Sequence, residues 1–394
     1  MRSPLWKLGA AAVAVGVMAV TMTGCAGSGA SADTVNIGWE YPKSGTFQAL
    51  GIDMENGFNL YLKTHHNKLG GRNVKLVPAD ETDKPDESLK QAQRLVEKEN
   101  VQALAGIMNS AALVAIDPYA QENKIPIVSS GGRPDLKPKQ LDGVWHTGSI
   151  NEHGGEAAAP YIKKQVDGPV YAMGADYAGG WPKVKGFTKQ FQKLGGKLAN
   201  ADGKPEWTSF PKAPDFQPYM NKIADSGAKA IFAFYSGTQA IDFIKAWASS
   251  DAADIPLYGP NLTEGSLLKA EGKSAKGIYT PANYSADLDN SANRDFVSKW
   301  TADNRPGLPD LYAATAWDAA QVLDKAIKAI PAGEEVTGEK INKQISKLGE
   351  ISSPRGDWQF DSKTHAPIQP WYMRVVKMDG NKLSNVKIAD LETL

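Results

Sequence analysis

Two turns in the first half of the chain carry residues well suited to binding a small ligand. Each turn follows a short apolar run, at 103–107 and 125–129, with the composition of a strand buried on both faces. The polar and small residues of these turns are Asn109, Ser110, Ser129, Ser130, Gly131 and Gly132. Because neighbouring parallel strands end at one sheet edge, these hydroxyls and backbone N–H groups are expected to converge there. The alternative is that they serve only as two well-capped turns.

The elements that must position these turns alternate between strand and helix. Residues 110–123 have helical spacing, and the Ser110 hydroxyl is predicted to cap this helix. Further strands are predicted at 34–41, 73–79, 169–174, 228–235 and 255–259. Further helices are predicted at 47–62, 86–99, 181–194, 214–226 and 237–249. The alternation predicts an α/β fold of two doubly wound parallel sheets, with a pause between them at 144–149.

The last third of the chain departs from this alternation. Helices are predicted at 290–304, 311–330 and 338–348, followed by strands at 358–360, 371–378 and 386–388. Asp379 and Gly380 form a hairpin signal between the last two strands. A chain that builds two sheets and then adds further elements is expected to cross between the two halves more than once.

Composition narrows the function classes. The 394 residues include 44 basic and 44 acidic side chains, a balance that argues against binding to nucleic acid or to an acidic membrane surface. Cys25 is the single cysteine, which excludes an internal disulfide and a multi-cysteine metal site. No pattern indicates a haem or flavin site, so we expect no cofactor.

The first 24 residues have the pattern of an export signal. Two basic residues precede an uncharged run at 8–22, which is too short to span a bilayer comfortably. The run ends in Met22-Thr23-Gly24-Cys25, which resembles the lipobox of bacterial lipoproteins, although Leu is more usual than Met22. Cys25 is therefore predicted to be lipidated, and residues 25–32 to form a flexible tether. The alternative is a plain secretory signal with an incidental cysteine.

Patterns of catalytic chemistry are incomplete. Gly272-Lys273-Ser274 lacks the earlier glycine of a phosphate-binding loop, and Ser236 lacks the first glycine of a nucleophile elbow. The five histidines have no carboxylate or cysteine at metal-ligand spacing: His65, His66, His146, His153 and His365. We therefore expect a protein that is not an enzyme and holds no metal.

The order of short motifs from residue 33 onwards resembles the leucine/isoleucine/valine-binding-protein type of solute-binding proteins. These proteins are extracytoplasmic receptors of ABC importers. The matching motifs are Ser44-Gly45 with Gly51 and Gly57, residues 67–71, Asp80 with Asp83, Gly106 with Ser110, residues 126–134, residues 176–180, Gly259-Pro260 and Tyr312-Ala313-Ala314. Each motif is weak alone, but their order behind a lipobox is specific.

The resemblance implies a type I periplasmic-binding-protein fold, with two α/β lobes joined by three crossovers. The crossovers are expected near 149–152, 278–284 and 354–361. The first lobe would comprise residues 33–150 and 284–355, and the second residues 151–283 and 356–394. The mature protein would then be a monomer held outside the cytoplasm at the membrane by its lipid anchor.

The resemblance also implies a ligand site between the lobes. The first lobe of such proteins grips a carboxylate through turn residues, which correspond here to Ser110, Ser130, Gly131 and Gly132. The second lobe contributes a tyrosine that corresponds to Tyr177, and a residue after an apolar strand, either Tyr235 or Ser236. In amino-acid binders an acid after Gly-Pro holds the ligand ammonium group. This sequence has Asn261 at that position.

Two features of the expected site favour ligands other than amino acids. A neutral amide at Asn261 replaces a buried carboxylate poorly as the partner of an ammonium group. Arg133 could bind a carboxylate bidentately, or lie in a surface ion pair at the rim. Phe47 and other aromatic residues near strand or helix ends suit an aromatic acid, although such residues more often belong to the core.

The sequence thus predicts a receptor that delivers a small carboxylate-bearing nutrient to an ABC permease by ligand-induced closure of its lobes. A branched-chain amino acid and an aromatic or other organic acid both remain open. A binder of urea or short amides is an alternative within the same family. The ligand-sensing domain of a signalling system is an alternative from a different class.

Overall fold

Two β-sheets organise the part of the chain that the computed structural model describes, residues 33–380 and 382–394. The strands in chain order are β1 (Thr34–Tyr41), β2 (Lys68–Leu69), β3 (Arg72–Asp80), β4 (Ala103–Gly106), β5 (Ile127–Ser129), β6 (Gly132–Arg133), β7 (Val144–His146), β8 (Ser149–Ile150), β9 (Val170–Ala175), β10 (Glu206–Thr208), β11 (Ala230–Phe234), β12 (Leu257–Tyr258), β13 (Tyr279–Ala282), β14 (Gln359–Phe360), β15 (Pro367–Ile368), β16 (Pro370–Asp379) and β17 (Lys382–Thr393). The first sheet has the order β2-β3-β1-β4-β5-β7, and the second has the order β10-β9-β11-β12-β13-β16-β17.

Both sheets are parallel over their central strands. In the first sheet only the short β2 runs antiparallel to its neighbour, β3. In the second sheet β16 runs antiparallel to both of its neighbours, β13 and β17. Strands such as β4 and β9 are buried throughout, as expected for strands covered on both faces. Because the central strands are parallel, their carboxyl ends share one edge in each sheet.

Helices cover the faces of both sheets. In chain order they are α1 (Gln48–Thr64), α2 (Pro85–Glu97), α3 (Ser110–Glu122), α4 (His153–Gln165), α5 (Gly180–Lys193), α6 (Gln217–Asp225), α7 (Thr238–Ala248), α8 (Gly265–Glu271), α9 (Ser291–Ala302), α10 (Leu311–Lys328) and α11 (Gly338–Ile345). None of the helices in the described residues is long and apolar enough to cross a membrane.

The chain passes between the two halves three times. After building the second sheet it returns to the first half, where α10 packs along α1. Tyr61 of α1 donates a 2.9 Å hydrogen bond to Asp324 of α10, and its ring meets Trp317 edge-on at 4.9 Å. The chain then crosses again, and β16 and β17 complete the second sheet. This is the predicted architecture of two α/β halves with three crossovers.

Most predicted elements are confirmed, including β1, α10 and the hairpin between β16 and β17. The prediction that Ser110 caps α3 is wrong. Asn109 is the cap, and its side-chain oxygen accepts a 2.9 Å hydrogen bond from the Ala111 amide. Ser110 is the first helical residue, and its hydroxyl points to the neighbouring turn instead.

Helix α4 was not predicted, because Gly154, Gly155 and Pro160 weaken its helical signal. The structure gives Gly155 a packing role. A Cβ atom there would lie 2.4 Å from the Lys183 carbonyl oxygen on α5, so glycine permits the close approach of α4 and α5. The predicted lobe boundaries stay a prediction, and Cys25 lies outside the described residues.

Candidate functional site

A cavity lies between the carboxyl-terminal rims of the two sheets. Its empty volume is about 620 Å³ including space that is open to solvent, and the volume available to the centre of a water-sized molecule is about 50 Å³. Turns after β4 and β5 line it from the first sheet, and turns after β9, β11 and β12 line it from the second. Seven of the ten residues predicted to bind ligand line this cavity: Phe47, Ser110, Ser130, Gly132, Tyr177, Ser236 and Asn261.

Hydrogen bonds join the two turns of the first sheet at the cavity wall. The Ser110 hydroxyl donates to the Gly132 carbonyl oxygen at 3.1 Å. Asn151, which follows β8, donates from its side-chain amide to the Ser110 hydroxyl oxygen at 3.1 Å. The buried Ser130 hydroxyl has no hydrogen-bond partner in the part of the chain that the structure describes. This wall therefore holds a fixed polar surface with hydrogen-bonding capacity left for a ligand.

A buried carboxylate fixes the turn that carries Ser110. Glu81 is fully buried and accepts backbone hydrogen bonds from Met108 at 3.0 Å and from Asn109 at 2.5 Å. The turn begins with Gly106 and Ile107, both with positive φ, and a β-branched residue adopts that conformation only when its surroundings impose it. Glu81 supplies part of that constraint, because it holds the N–H groups of Met108 and Asn109.

Lys183 is the single charged residue among the described residues that line the cavity. It lies on α5 with 9% of its surface exposed, and its Nζ atom is 5.3 Å from the centre of the Phe234 ring. No carboxylate of the described chain lies within ion-pair distance of this amine. Burial lowers the pKa of Lys183 to about 8, and the negative charge of Glu152 offsets only part of that effect.

The second half contributes a chain of neutral polar groups. Asn261 donates from its side-chain amide to the Tyr312 hydroxyl oxygen at 3.0 Å, and Ser236 lies 3.4 Å from the same hydroxyl. Asn261 has a φ of 64°, a left-handed conformation that Asn and Asp adopt more readily than most residues. Tyr312 is the second residue of α10, so the two halves of the molecule meet at this hydrogen-bonded group.

Aromatic rings form much of the remaining wall. Phe47, Tyr177, Phe234 and Trp371 line the cavity together with Tyr312. The Phe47 and Tyr177 rings lie 6.3 Å apart, as do the Tyr177 and Phe234 rings. The buried indole N–H of Trp371 has no hydrogen-bond partner in the described residues. A planar apolar ligand with polar ends matches such walls.

Three predicted residues lie outside the cavity lining. Gly131 is packed between the turns, where a Cβ atom would lie 2.3 Å from the Met108 carbonyl oxygen. Arg133 is buried behind the wall and donates to the Leu136 carbonyl oxygen at 3.3 Å, so it is neither a rim residue nor directed at the cavity. Tyr235 follows Phe234, and successive residues of a strand point to opposite sides.

The packing of Tyr235 shows where its side chain lies. Its hydroxyl is 3.0 Å from the Thr208 hydroxyl, and its ring packs on Phe216 and Phe243 at 5.1 and 4.5 Å. Of the two candidates after the apolar strand, Ser236 thus lines the cavity. Glu264 lies near Asn261 in sequence but forms a buried ion pair with Arg374.

Sequence reasoning missed Lys183, Asn151 and Tyr312. Asn151 lies in the predicted crossover at 149–152, and Tyr312 belongs to a motif that carried the family resemblance, so both signals were present. Lys183 lacks such a signal, because a lysine on an amphipathic helix normally lies in solvent. No group of three or more His, Cys, Asp or Glu side chains among residues 33–380 and 382–394 is arranged to hold a metal ion.

Two doubly wound sheets with a cavity between their rims are typical of two-lobed solute-binding proteins. The chain belongs to the periplasmic binding protein family, whose model matches residues 34–382. It is 30% identical over 389 residues to the Leu/Ile/Val-binding protein homolog 6 of Brucella melitensis, an alignment that covers 96% of this chain and 97% of the relative.

Solved structures of ABC-transporter solute-binding proteins share the fold. One from R. palustris in complex with benzoate has a TM-score of 0.80 and 29% identity, and the match covers 91% of this chain and 98% of that chain. Another from R. palustris in complex with 4-hydroxybenzoate has a TM-score of 0.83 and 27% identity, with 92% and 98% covered. The predicted family and the type I fold are confirmed. The family consists of extracytoplasmic transport receptors and is not an enzyme family.

Proposed function

We propose that this protein is a receptor of an ABC importer and that its ligand is a small aromatic carboxylate. The observation that carries the proposal is the unpaired Lys183 amine in a cavity without a lining acid. A ligand carboxylate would give Lys183 the counter-ion that the described chain does not supply. The Ser130 hydroxyl, which has no partner in the described residues, would donate a hydrogen bond to the same carboxylate.

The same features count against an amino-acid ligand. The charged residue nearest to an α-ammonium group in this cavity would be Lys183, which is a cation. At the position where amino-acid receptors have an acid, this cavity has the neutral amide of Asn261. Like charges at close range and an uncompensated buried ammonium group both cost binding free energy. Urea or a short amide would avoid that repulsion, but it would leave Lys183 without a partner.

Two similar proteins support the aromatic character of the ligand. The R. palustris proteins at 29% and 27% identity were solved with benzoate and 4-hydroxybenzoate. In the present cavity the rings of Phe47, Tyr177 and Phe234 would stack on or meet the edge of such a ligand.

Lobe closure would couple binding to transport. The ligand would contact both halves only when they are together, and it would shift the population towards that arrangement by its difference in affinity. Direct contacts already join the halves beside the cavity, since Thr238 at the start of α7 donates a 3.0 Å backbone hydrogen bond to Thr46 before α1. Lipidation of Cys25 would keep the receptor beside its permease.

A matched pair of variants on α5 tests the proposal. Lys183→Met should weaken benzoate binding by about a hundredfold in isothermal titration calorimetry, because a buried charge-assisted hydrogen bond is lost. Lys185→Met removes an exposed lysine two residues away and should leave the affinity unchanged. Equal affinity of the Lys183→Met variant and the wild type would contradict the proposal.

A further inference from the structure

Lys183 has the surroundings of a reactive amine. It is the one primary amine on the cavity wall in the described part of the chain, and it has neither a hydrogen-bond acceptor nor an ion-pair partner there. The Phe234 ring lies 5.3 Å from its Nζ atom, and Gly155 lets α4 pack closely over its backbone. A buried site without an acid to pair with favours the neutral form of a lysine, which is the nucleophilic form.

The pKa of the Lys183 amine shows the effect of this burial. Burial lowers the pKa of Lys183 to about 8. At pH 7.5 about a quarter of such amines are neutral, against about one in a thousand for an ordinary exposed lysine. The negative charge of Glu152 opposes this shift without cancelling it.

We infer that Lys183 is a site of reversible covalent binding for aromatic aldehydes. The lone pair of Nζ attacks the aldehyde carbon, the carbonyl oxygen takes up a proton, and the carbinolamine then loses one water molecule. The product is an imine between Nζ and the aldehyde carbon, and no oxidant or reductant takes part. The inference rests on the proposed function in one respect, because the aldehyde enters the space that its carboxylate counterpart would fill.

Two observations favour an aromatic aldehyde over other carbonyl compounds. The aromatic residues of the wall match a planar ring, with Phe234 directly beside the amine. Polar groups also lie near the amine, since a Cβ atom on Gly132 would lie 3.5 Å from Lys183 Nζ and 2.0 Å from Asn151 Oδ1. The carbinolamine hydroxyl would therefore form beside hydrogen-bonding groups, and the ring beside apolar ones.

Reductive trapping tests the inference on the full-length protein. The protein is incubated with benzaldehyde and cyanoborohydride at pH 7.5, which converts an imine to a stable benzylamine, and labelled lysines are identified by peptide mass spectrometry. Lys183 should be labelled at least tenfold faster than Lys185, the exposed lysine on the same helix. Excess benzoate should slow the labelling of Lys183 and leave that of Lys185 unchanged.

A second variant provides a control on the site. Lys183→Arg keeps a cation but removes the primary amine, and it should eliminate the fast labelling phase while exposed lysines react as before. Labelling of Lys183 and Lys185 at equal rates in the wild type would overturn the inference. Fast labelling of Lys183 without any benzoate binding would uphold it and refute the proposed ligand. Benzoate binding without preferential labelling of Lys183 would overturn the inference and uphold the proposed ligand.

Discussion

The side-chain amide of Asn261 donates a 3.0 Å hydrogen bond to the hydroxyl of Tyr312. The donor follows β12 of the second sheet, and the acceptor lies in the first turn of α10, which packs in the first half. The resemblance to amino-acid receptors leads one to expect an acid at position 261, and the structure has a neutral group committed to a neighbouring hydroxyl. This contact and the unpaired Lys183 together give the cavity a positive rather than a negative character.

The Asn261→Asp substitution should make the cavity less positive. The left-handed φ of 64° suits Asp nearly as well as Asn, so the fold should be retained. The new carboxylate would repel a ligand carboxylate, and the dissociation constant for benzoate should rise at least tenfold in calorimetry. Asn261→Gly also fits this backbone and adds no charge, so it should cause a smaller loss. An equal loss in both variants would show that charge is not the cause.

Gly132→Ala should damage the first-sheet wall without unfolding the protein. The added Cβ atom would lie 2.0 Å from Asn151 Oδ1, so Asn151 has to move away from the Ser110 hydroxyl. We expect benzoate affinity to fall more than tenfold while the melting temperature changes little. Gly349→Ala, where a Cβ atom meets open space, is the control. Unchanged affinity in the Gly132→Ala variant would remove this wall from the binding site.

Ligand affinity should fall at alkaline pH. Lys183 has a pKa of about 8 in the unliganded cavity, and a bound carboxylate raises it again. At pH 7 and below most of the amine is already protonated, so affinity changes little. Above pH 8 each binding event also takes up a proton, and the dissociation constant should rise by up to about tenfold per pH unit.

The other titratable groups in or near the cavity should not contribute to this slope. Burial raises the pKa values of Tyr177 and Tyr312 far above this range, and burial lowers that of His153 to about 4. Calorimetry in buffers of different ionisation enthalpy would measure the proton uptake at pH 9. A slope that persists in the Lys183→Met variant would assign the effect to another group.

Asp318→Asn should destabilise the protein strongly. Asp318 and Arg355 are fully buried and paired at 2.8 Å, and the Ser353 hydroxyl donates to the same carboxylate. Without the carboxylate the Arg355 guanidinium is a buried unpaired cation, so the free energy of unfolding should fall by about 3–5 kcal/mol in urea titrations. The exposed pair of Lys90 and Glu87 is the control, and Glu87→Gln should have no measurable effect. If Asp318→Asn also had no measurable effect, the buried pair of Asp318 and Arg355 would not stabilise the protein as argued.

Much of the fold could be predicted because local and global signals agree. The strand β1 and the helix α10 show clean apolar periodicity, and the Asp379-Gly380 hairpin has specific turn chemistry. Helix α4 could not be predicted, because its glycines serve a contact with α5 that exists only in the folded chain. The cap of α3 was misplaced by one residue, because Asn109 and Ser110 are both good caps and tertiary contacts decide between them.

Some residues of the candidate site could likewise be predicted from the sequence, and others could not. Turn residues such as Ser110 and Gly132 follow directly from strand ends, and their position at the cavity could be inferred from topology. Lys183 could not be found, because its burial depends on how closely α4, α5 and the Phe234 strand approach one another. Arg133 was expected to bind a carboxylate or to lie at the rim, and it does neither. A charged residue beside a glycine pair gives no indication in the sequence that it will be buried.

The central claim is that the cavity selects an aromatic carboxylate over an α-amino acid. Calorimetric titration of the ligand-free wild-type protein at pH 7 with benzoate, 4-hydroxybenzoate and leucine tests it most directly. The account predicts dissociation constants in the micromolar range or below for at least one of the two aromatic acids, and no detectable heat with leucine. Saturable binding of leucine together with no response to either aromatic acid would contradict it.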